Sequence, residues 1–147
     1  MQRTRLDILR EVCDERIAFN KVLGLKLVEA SGGKSRLEFA FKEELVGNFM
    51  LHILHGGVIC SALDVAGGLA VLASFKEDDP LYPMGTVDLR VDFLRPGKGE
   101  RFVATGQVMR PGRILCATRM ELVNETGDLL AMGQAVYRFT AKDGFRQ

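Results

Sequence analysis

A lone carboxylate, Asp64, lies in an otherwise uncharged apolar run over residues 58–75. A charge in such surroundings is paired, solvated in a cleft, or functional. The tripeptide His55-Gly56-Gly57 precedes the run, and a Gly-Gly pair at a helix start leaves backbone N–H groups uncovered, where the helix dipole favours negative charge. The tripeptide could therefore form an oxyanion hole, or its glycines could simply turn the chain into the helix.

Gly57 and Asp64 share one helix face, because seven residues at 100° each place them about 20° apart around the axis. The same spacing separates them by about 10.5 Å along the helix, beyond hydrogen-bond reach of one atom. We therefore predict a homodimer whose two central helices run antiparallel, so that Gly57 of one subunit lies opposite Asp64 of the other. The alternative for Asp64 is a buried ion pair with an arginine of the sheet, such as Arg90.

The elements that must position these residues begin with an amphipathic helix, which apolar residues at helical spacing predict over residues 4–19. Residues 25–31 and 34–41 alternate in polarity around a Ser-Gly-Gly turn, which predicts a β-hairpin. We expect a loop over residues 42–54. The apolar central helix is predicted to begin at the His-Gly-Gly tripeptide and to end near Phe75, before an acidic segment that contains proline.

Four β-prone runs follow, over residues 86–94, 100–109, 114–124 and 129–141. The separators are short and contain glycine, so we predict that successive strands are antiparallel neighbours in a four-strand meander. The central helix is the only element able to cover the apolar face of this sheet. The sequence thus predicts one α+β domain over residues 1–147, with an antiparallel sheet around a long central helix.

The overall charge identifies no partner, because 20 Lys and Arg against 19 Asp and Glu leave a formal charge of +1. Such a balance gives no general basic field for nucleic acid or anionic lipid. Inside the apolar run, Asp64 would cost about 2.5–3.5 kcal/mol in a bilayer, and no Lys or Arg cluster flanks the run. We expect neither a nucleic-acid partner nor a membrane span.

The three cysteines, Cys13, Cys60 and Cys116, are an odd number without C-x-x-C spacing. This pattern argues against a disulfide framework and against a cysteine-rich zinc site. Charges interrupt every apolar run near the N-terminus, so the chain shows no secretory signal. We expect reduced thiols in the cytoplasm.

His52 and His55 are the only histidines, and no suitable third metal ligand lies near them in the sequence. The chain also lacks the G-x-x-x-x-G-K-[ST] loop that binds nucleoside triphosphates. We expect neither a metal nor a cofactor.

The stretch HGGVICSALDVAGGLA resembles the central-helix motif of PaaI-type hotdog-fold thioesterases, in which His-Gly-Gly is followed at this spacing by an acidic residue. Further stretches look like the YigI branch of that group, described as acyl-CoA thioesterases: residues 19–20, 23–24, 46–48, 53–57 and 84–102. The resemblance covers nearly the whole chain. It implies a hotdog fold, a homodimer or a tetramer of two dimers, and metal-free hydrolysis of medium- or long-chain fatty acyl-CoA.

The resemblance also implies roles for individual residues. The N–H of Gly57 would polarise the thioester carbonyl, and Asp64 of the partner subunit would act as general base or nucleophile. His55 would orient the carbonyl end or support the turn. Asn48, which stands one residue further from the histidine than in the wider PaaI pattern, would hold the lytic water or the substrate. Thr86 aligns with a hydroxyl residue near the acid from the neighbouring chain, or is an ordinary strand threonine.

Gly56 belongs to the same turn, and we predict that it contacts the substrate. Four basic residues flank two predicted turns, where they could bind coenzyme A phosphates or simply be solvated: Arg95, Lys98, Arg110 and Arg113. The pair Gly67-Gly68 either leaves a channel for an acyl tail or permits close packing of the helix on the sheet.

Two other functions remain open for such a groove. A hotdog hydratase or dehydratase needs an acid–base histidine and a carboxylate at adjacent substrate carbons, whereas both histidines here precede the helix. A non-catalytic acyl-CoA sensor would use the same groove for binding alone, although a carboxylate beside a thioester suits hydrolysis better than storage.

Overall fold

The computed structural model of the chain describes residues 1–140. Within these residues the elements follow in this order: α1 (Arg5–Glu11), a π-helical turn (Val12–Arg16), α2 (Ala18–Leu23), β1 (Lys26–Ser31), β2 (Lys34–Ala40), a 3₁₀ turn (Glu43–Leu45), β3 (Val46–Asn48), β4 (Ile53–Leu54), α3 (Gly56–Leu72), β5 (Met84–Phe93), β6 (Arg101–Arg110), β7 (Leu115–Asn124) and β8 (Leu129–Phe139). The predicted end of the last strand, Ala141, lies outside the described residues.

The central helix α3 is present as predicted and ends at Leu72 rather than near Phe75. Its apolar side chains are buried under the sheet, where Ala62, Leu63 and Ala66 are fully covered. Small residues let the sheet approach the helix closely, and the hydroxyl of Ser35 on β2 donates a hydrogen bond to the carbonyl oxygen of Ala66. The α+β arrangement, an antiparallel sheet around a long central helix, is confirmed.

The main sheet is antiparallel throughout, with strand order β1-β2-β6-β7-β8-β5. The predicted hairpin is present as β1 and β2, whose turn uses Gly32 and Gly33 in the left-handed region (φ 55° and 76°). The predicted four-strand meander holds only for β6, β7 and β8. Strand β5 pairs with β8, so the prediction that β5 and β6 are neighbours is wrong.

The connection after β5 explains this difference. Residues 94–100, where the sequence predicts a short separator between neighbouring strands, instead cross the sheet from the edge strand β5 to β6, which lies between β2 and β7. On the way the N–H of Leu54 donates to the carbonyl of Gly97 at 3.0 Å, just before α3 begins. A Cβ atom at position 97 would lie 3.0 Å from the Leu54 Cβ, so the crossover is packed tightly against the segment before α3.

The predicted N-terminal helix over residues 4–19 is interrupted. It ends in the π-helical turn, and Ile17 adopts an extended conformation (φ −84°, ψ 102°) before α2 begins. The amide of the buried Asn20 donates to the carbonyl of Cys13 at 3.1 Å, which satisfies a carbonyl that the break leaves without a helical partner. Of the apolar residues in this segment, Leu9 and Cys13 are buried, whereas Ile17 (39% exposed) and Phe19 (56% exposed) lie at the surface.

The predicted loop over residues 42–54 contains regular structure. It forms the 3₁₀ turn and a short antiparallel ladder in which Val46 pairs with Leu54 and Asn48 with Ile53. The N–H of His55 donates to the carbonyl of Leu45 at 2.8 Å, which anchors this ladder to the start of α3. No helix among residues 1–140 is long and apolar enough to cross a bilayer.

Candidate active site

Asp64 lies on the third turn of α3, half-buried, and faces β5. The hydroxyl of Thr86 donates to Asp64 Oδ1 at 2.8 Å, and the hydroxyl of Tyr137 on β8 lies 3.2 Å from the same oxygen. Arg90 does not pair with Asp64; its guanidinium contacts Asp92 at 3.3 Å. Among the described residues Asp64 Oδ2 has no hydrogen-bond partner, so one carboxylate oxygen is held and the other is available.

Thr86 therefore contacts the carboxylate of its own chain. The contact forms within one subunit because β5 packs beside α3, and the expectation that Thr86 lies near the acid of a neighbouring chain stays a prediction. The role as an ordinary strand threonine is insufficient, since a hydroxyl bonded to a carboxylate fixes one oxygen of the acid.

Tyr137 is a residue that the sequence analysis missed. Its hydroxyl donates to the backbone carbonyl of Asp64 at 2.6 Å, and the side chain is only 2% exposed. Burial, followed by the charge of Asp64, raises the pKa of the Tyr137 hydroxyl, while bonds from Thr118 and the N–H of Gly68 act in the opposite direction. The phenol therefore stays protonated and holds the third turn of α3 against the sheet.

The glycine pair on α3 was the one sequence signal of this contact. A Cβ atom at Gly67 would lie well under 3.0 Å from the Tyr137 hydroxyl oxygen and 3.0 Å from both Met120 Sδ and Thr118 Oγ1. Gly67 thus permits close packing of helix on sheet. Gly68 instead faces the space beside the carboxylate, so each of the two interpretations of the pair applies to one glycine.

A cavity of about 130 Å³ opens beside Asp64. Its polar wall is formed by Asp64, Thr86 and Tyr137, and the rest is apolar. The remaining lining residues come from the N-terminal segment, α3 and the start of β5: Val12, Ile17, Val65, Gly68, Leu69, Leu72, Met84 and Gly85. The arrangement suits an apolar group whose reactive end meets the carboxylate.

The start of α3 differs from the prediction. His55 is the N-cap residue, and its Nδ1 accepts a hydrogen bond from the N–H of Gly57 at 2.7 Å. The prediction that Gly57 offers an uncovered amide is therefore wrong in this conformation, because a capping side chain satisfies one of the orphan donors at a helix start. The N–H of Gly56 has no acceptor among the described residues, so Gly56 carries the free amide.

Within one chain the free amide and the carboxylate stay apart. Gly56 and Asp64 are eight residues apart on α3, which corresponds to about 12 Å along the axis. One subunit therefore brings neither Gly56 nor the predicted donor Gly57 to the same atom as the acid, which agrees with the separation expected from the spacing.

Asn48 lies at the end of β3, and its side-chain oxygen accepts hydrogen bonds from the N–H groups of Met50 and Leu51, both at 3.1 Å. This arrangement closes the turn between β3 and β4. Its Nδ2 has no acceptor among residues 1–140, and the structure shows no contact between Asn48 and Asp64. The oxygen of Asn48 thus has a structural role in the subunit.

The four predicted basic residues do not form one cluster. Arg95 and Lys98 lie on the crossover near the start of α3, and the guanidinium of Arg95 donates to the carbonyl of Leu129 at 3.0 Å. Arg110 and Arg113 lie at the opposite end of the ten-residue strand β6, which spans about 30 Å. Two residues of one chain from opposite ends cannot bind the same phosphate.

The two histidines serve different elements. His52 contacts the carboxylate of Glu43 at 2.8 Å, whereas His55 caps α3. Within the described part of the chain, no three His, Cys, Asp or Glu side chains are grouped as metal ligands.

Comparison with known proteins agrees with this geometry. Residues 51–131 match the model of the thioesterase superfamily. The chain is 42% identical over 142 residues to the medium/long-chain acyl-CoA thioesterase YigI of Escherichia coli strain K12, covering 90% of this chain and 92% of that protein.

Solved structures show the same fold. A crystal structure of a protein from Shewanella oneidensis related to the thioesterase superfamily superposes with a TM-score of 0.84 at 39% identity, covering 92% of this chain and 95% of that one. The PaaI protein of E. coli superposes with a TM-score of 0.80 at 20% identity, covering 92% and 94%. The chain therefore belongs to the thioesterase superfamily, with the hotdog fold of the PaaI-type thioesterases.

Proposed function

We propose that this protein hydrolyses acyl-CoA thioesters to the free acid and coenzyme A, with medium- or long-chain fatty acyl groups as substrates. The observation that carries the proposal is the carboxylate of Asp64, which is held at Oδ1 by Thr86 and opens onto an apolar cavity. The name of the E. coli relative supports the substrate class. All three cysteines are free thiols, which supports a reducing compartment such as the cytoplasm.

Two reaction routes suit Asp64 Oδ2. As a base, Oδ2 takes a proton from water, whose oxygen attacks the thioester carbonyl carbon; the C–S bond then breaks and the coenzyme A thiolate receives the proton. As a nucleophile, Oδ2 attacks the carbonyl itself, the C–S bond breaks to give an anhydride and the thiolate, and water hydrolyses the anhydride. In both routes Thr86 keeps Oδ1 occupied and directs Oδ2 at the carbonyl.

The negative oxygen of the tetrahedral intermediate is stabilised at the start of the partner's α3. The free N–H of Gly56 is the first donor, and the positive end of the helix dipole adds to it. Gly57, the donor chosen from the sequence, joins when the ring of His55 turns away from its N–H. His55 thus keeps the second amide satisfied until the substrate arrives.

The active unit is a homodimer, alone or as half of a tetramer. Among residues 1–140 the outer edge of strand β5 pairs with no other strand; β5 is ten residues long, with Val87 (59%) and Phe93 (54%) exposed. A long apolar edge of this kind is a surface for pairing with another strand. If β5 pairs with its own copy and Gly56 meets Asp64 of the partner, the two-fold axis passes midway between positions 56 and 64, at Cys60.

Thiol release tests the activity. Purified protein is incubated with a panel of acyl-CoAs, and free coenzyme A is followed with a thiol reagent. We expect Asp64→Asn to lose most of kcat while its sedimentation stays that of the native protein. Glu121→Gln, which changes a carboxylate on the outer face of the sheet paired with Arg119, is the matched control and keeps full activity.

Other outcomes of the same assay identify the alternatives. Hydration of an enoyl-CoA without thiol release would indicate a hydratase, and tight binding without turnover would indicate a sensor. Unchanged turnover of Asp64→Asn on every thioester would refute the proposed mechanism.

Proline at position 56 tests the amide. Gly56→Pro removes the N–H at the first helical position, where proline is tolerated, and the extended backbone of His55 (φ −62°, ψ 136°) suits a residue before proline. Gly56→Ala keeps the N–H, and its Cβ would meet only the ring of Phe93 at 3.5 Å. We expect Gly56→Pro to lose about 10²–10³-fold in kcat and Gly56→Ala to lose little. Equal activity of the two variants would exclude Gly56 as a donor.

Cysteine cross-linking tests the dimer. Cys60 is half-exposed on α3, whereas Cys13 and Cys116 are buried and serve as internal controls. We expect mild oxidation with copper phenanthroline, or a short bismaleimide, to give a covalent dimer that is lost in Cys60→Ala. A monomer by sedimentation with no cross-link would contradict the shared site.

A further inference from the structure

The cavity beside Asp64 has one wall that differs in kind from the others. Its inner walls are formed by α3 and the start of β5, including Leu72 and Met84, which belong to the core or pack against it. Its outer wall consists of Val12 and Ile17, from the π-helical turn and the break that follows it. The outer wall thus contains only two of the lining residues, and neither belongs to the hydrophobic core.

The volume limits what fits behind this wall. A protein cavity of about 150 Å³ holds benzene, so 130 Å³ accommodates an acyl chain of about six carbons. A longer chain whose carbonyl is held at Asp64 therefore extends beyond the cavity, and Ile17, which is 39% exposed, lines it at the protein surface.

The two residues of the wall are held differently. Val12 lies between the anchored α1, where Arg10 donates to the carbonyl of Leu27 at 3.2 Å, and Cys13, whose carbonyl is bonded to Asn20. The N–H of Ile17 donates to the carbonyl of Val12 at 3.1 Å, and the residue is 39% exposed while it lines the cavity. A rotamer change of Ile17 would therefore alter this side of the cavity without moving a helix.

We propose that Ile17, supported by Val12, selects the acyl chain length. Its side chain closes the cavity over short chains and turns aside for longer ones. This inference rests on the proposed function, because it takes the cavity beside Asp64 to be the acyl site. π-Helical turns recur at functional sites, and the turn here places the extended Ile17 at the cavity mouth.

The test compares kcat/KM for butyryl-, hexanoyl-, octanoyl-, decanoyl- and dodecanoyl-CoA. In the wild-type protein each buried methylene adds about fourfold up to six carbons, after which the rise flattens. Ile17→Ala extends the rise, so that the ratio of decanoyl- to hexanoyl-CoA increases at least tenfold. Ile17→Trp lowers the same ratio at least tenfold.

Val22→Ala is the matched control, since Val22 is an exposed aliphatic residue of α2 that does not line the cavity. It should keep the wild-type profile, and both Ile17 variants should keep the wild-type melting temperature within a few degrees. Identical chain-length profiles of the wild type and both Ile17 variants would overturn the inference, even though turnover itself would uphold the proposed function.

Absence of turnover with every substrate would overturn the proposed function and leave the cavity to be judged by binding. In that case, titration calorimetry measures the binding of hexanoate and decanoate to the wild type and to Ile17→Trp. Loss of decanoate binding alone in Ile17→Trp supports the inference, and equal binding of both acids by wild type and variant overturns it.

Discussion

Replacing Gly67 by alanine should destabilise the protein, mainly because the added Cβ would collide with the hydroxyl oxygen of Tyr137. The added Cβ would overlap the hydroxyl of Tyr137 and touch Met120 and Thr118 at 3.0 Å in a fully buried site. Overpacking of this kind costs about 3 kcal/mol, and displacing the hydroxyl from the Asp64 carbonyl costs about 1 kcal/mol more. Alanine recovers about 1 kcal/mol of helix propensity. The free energy of unfolding should fall by about 3 kcal/mol, or by roughly 6–12 °C in Tm.

The assay is urea unfolding followed by circular dichroism for a double-mutant cycle. Tyr137→Phe alone should cost about 1 kcal/mol, because it removes one buried hydrogen bond. In the phenylalanine background Gly67→Ala should cost about 1 kcal/mol, since the soft ends of Met120 and Thr118 can yield. The coupling should therefore reach about 2 kcal/mol.

Gly68→Ala is the control for the cycle, because its Cβ would meet only the terminal methyl of Met84, at 3.1 Å, and the edge of the tyrosine ring. It should change the free energy of unfolding by less than about 1 kcal/mol. Strict additivity of Gly67→Ala and Tyr137→Phe would refute the account of the glycine pair.

Three further outcomes follow from single contacts. Thr86→Val, which removes the donor to Asp64, should lower kcat about 10–100-fold at constant KM, whereas Thr86→Ser should restore it; steady-state kinetics checks both. The pKa of Glu125 is lowered by hydrogen bonds from backbone N–H groups, first its own and then those of Arg101 and Glu100. The carboxylate therefore stabilises the fold above its ordinary pKa, and this contribution is lost as the pH falls through the lowered pKa. The urea midpoints at pH 6 and pH 3 should differ less in Glu125→Gln than in wild type. Burial raises the pKa of Cys13 to about 12, so iodoacetamide at pH 8 should leave that thiol unmodified in the native protein and alkylate it in guanidinium, as mass spectrometry would show.

The elements that the sequence predicts well are those fixed by local pattern. The central helix follows from its continuous apolar run, and the hairpin of β1 and β2 from alternation around two glycines. The pairing of β5 could not be read in this way, because its partner β8 follows two intervening strands, so that Phe93 pairs with Ala131. The break at Ile17 was equally hidden, since it depends on the side chain of Asn20 reaching the carbonyl of Cys13.

The site was predictable to a similar degree. Asp64 was evident as a charge in an apolar helix, and Thr86 gained its position only through the family resemblance. The capping of Gly57 depends on one rotamer of His55, which spacing does not determine. The role of Tyr137 could not be predicted from the sequence of its strand, because a buried aromatic residue is common in β-strands.

Arg95 and Arg110 each stand before a Pro-Gly pair, so the two turns look alike in sequence. The predicted strand over residues 100–109 nevertheless lies between them, and in the structure β6 separates them. Resemblance between the turns therefore gave no information about which charges can meet one phosphate, whereas the predicted strand did.

The position of β5 beside β8 has a consequence for biosynthesis. Met84 pairs with Phe139, so β5 leaves the ribosome long before the strand that receives it, and it waits unpaired while β6 and β7 are made. Asp64 and Thr86 are translated before β6, yet Tyr137 and the pairing that aligns Thr86 arrive only with β8. A nascent chain halted after β7 carries the acid and Thr86 without the strand that positions them, so hydrolytic competence requires the synthesis of β8.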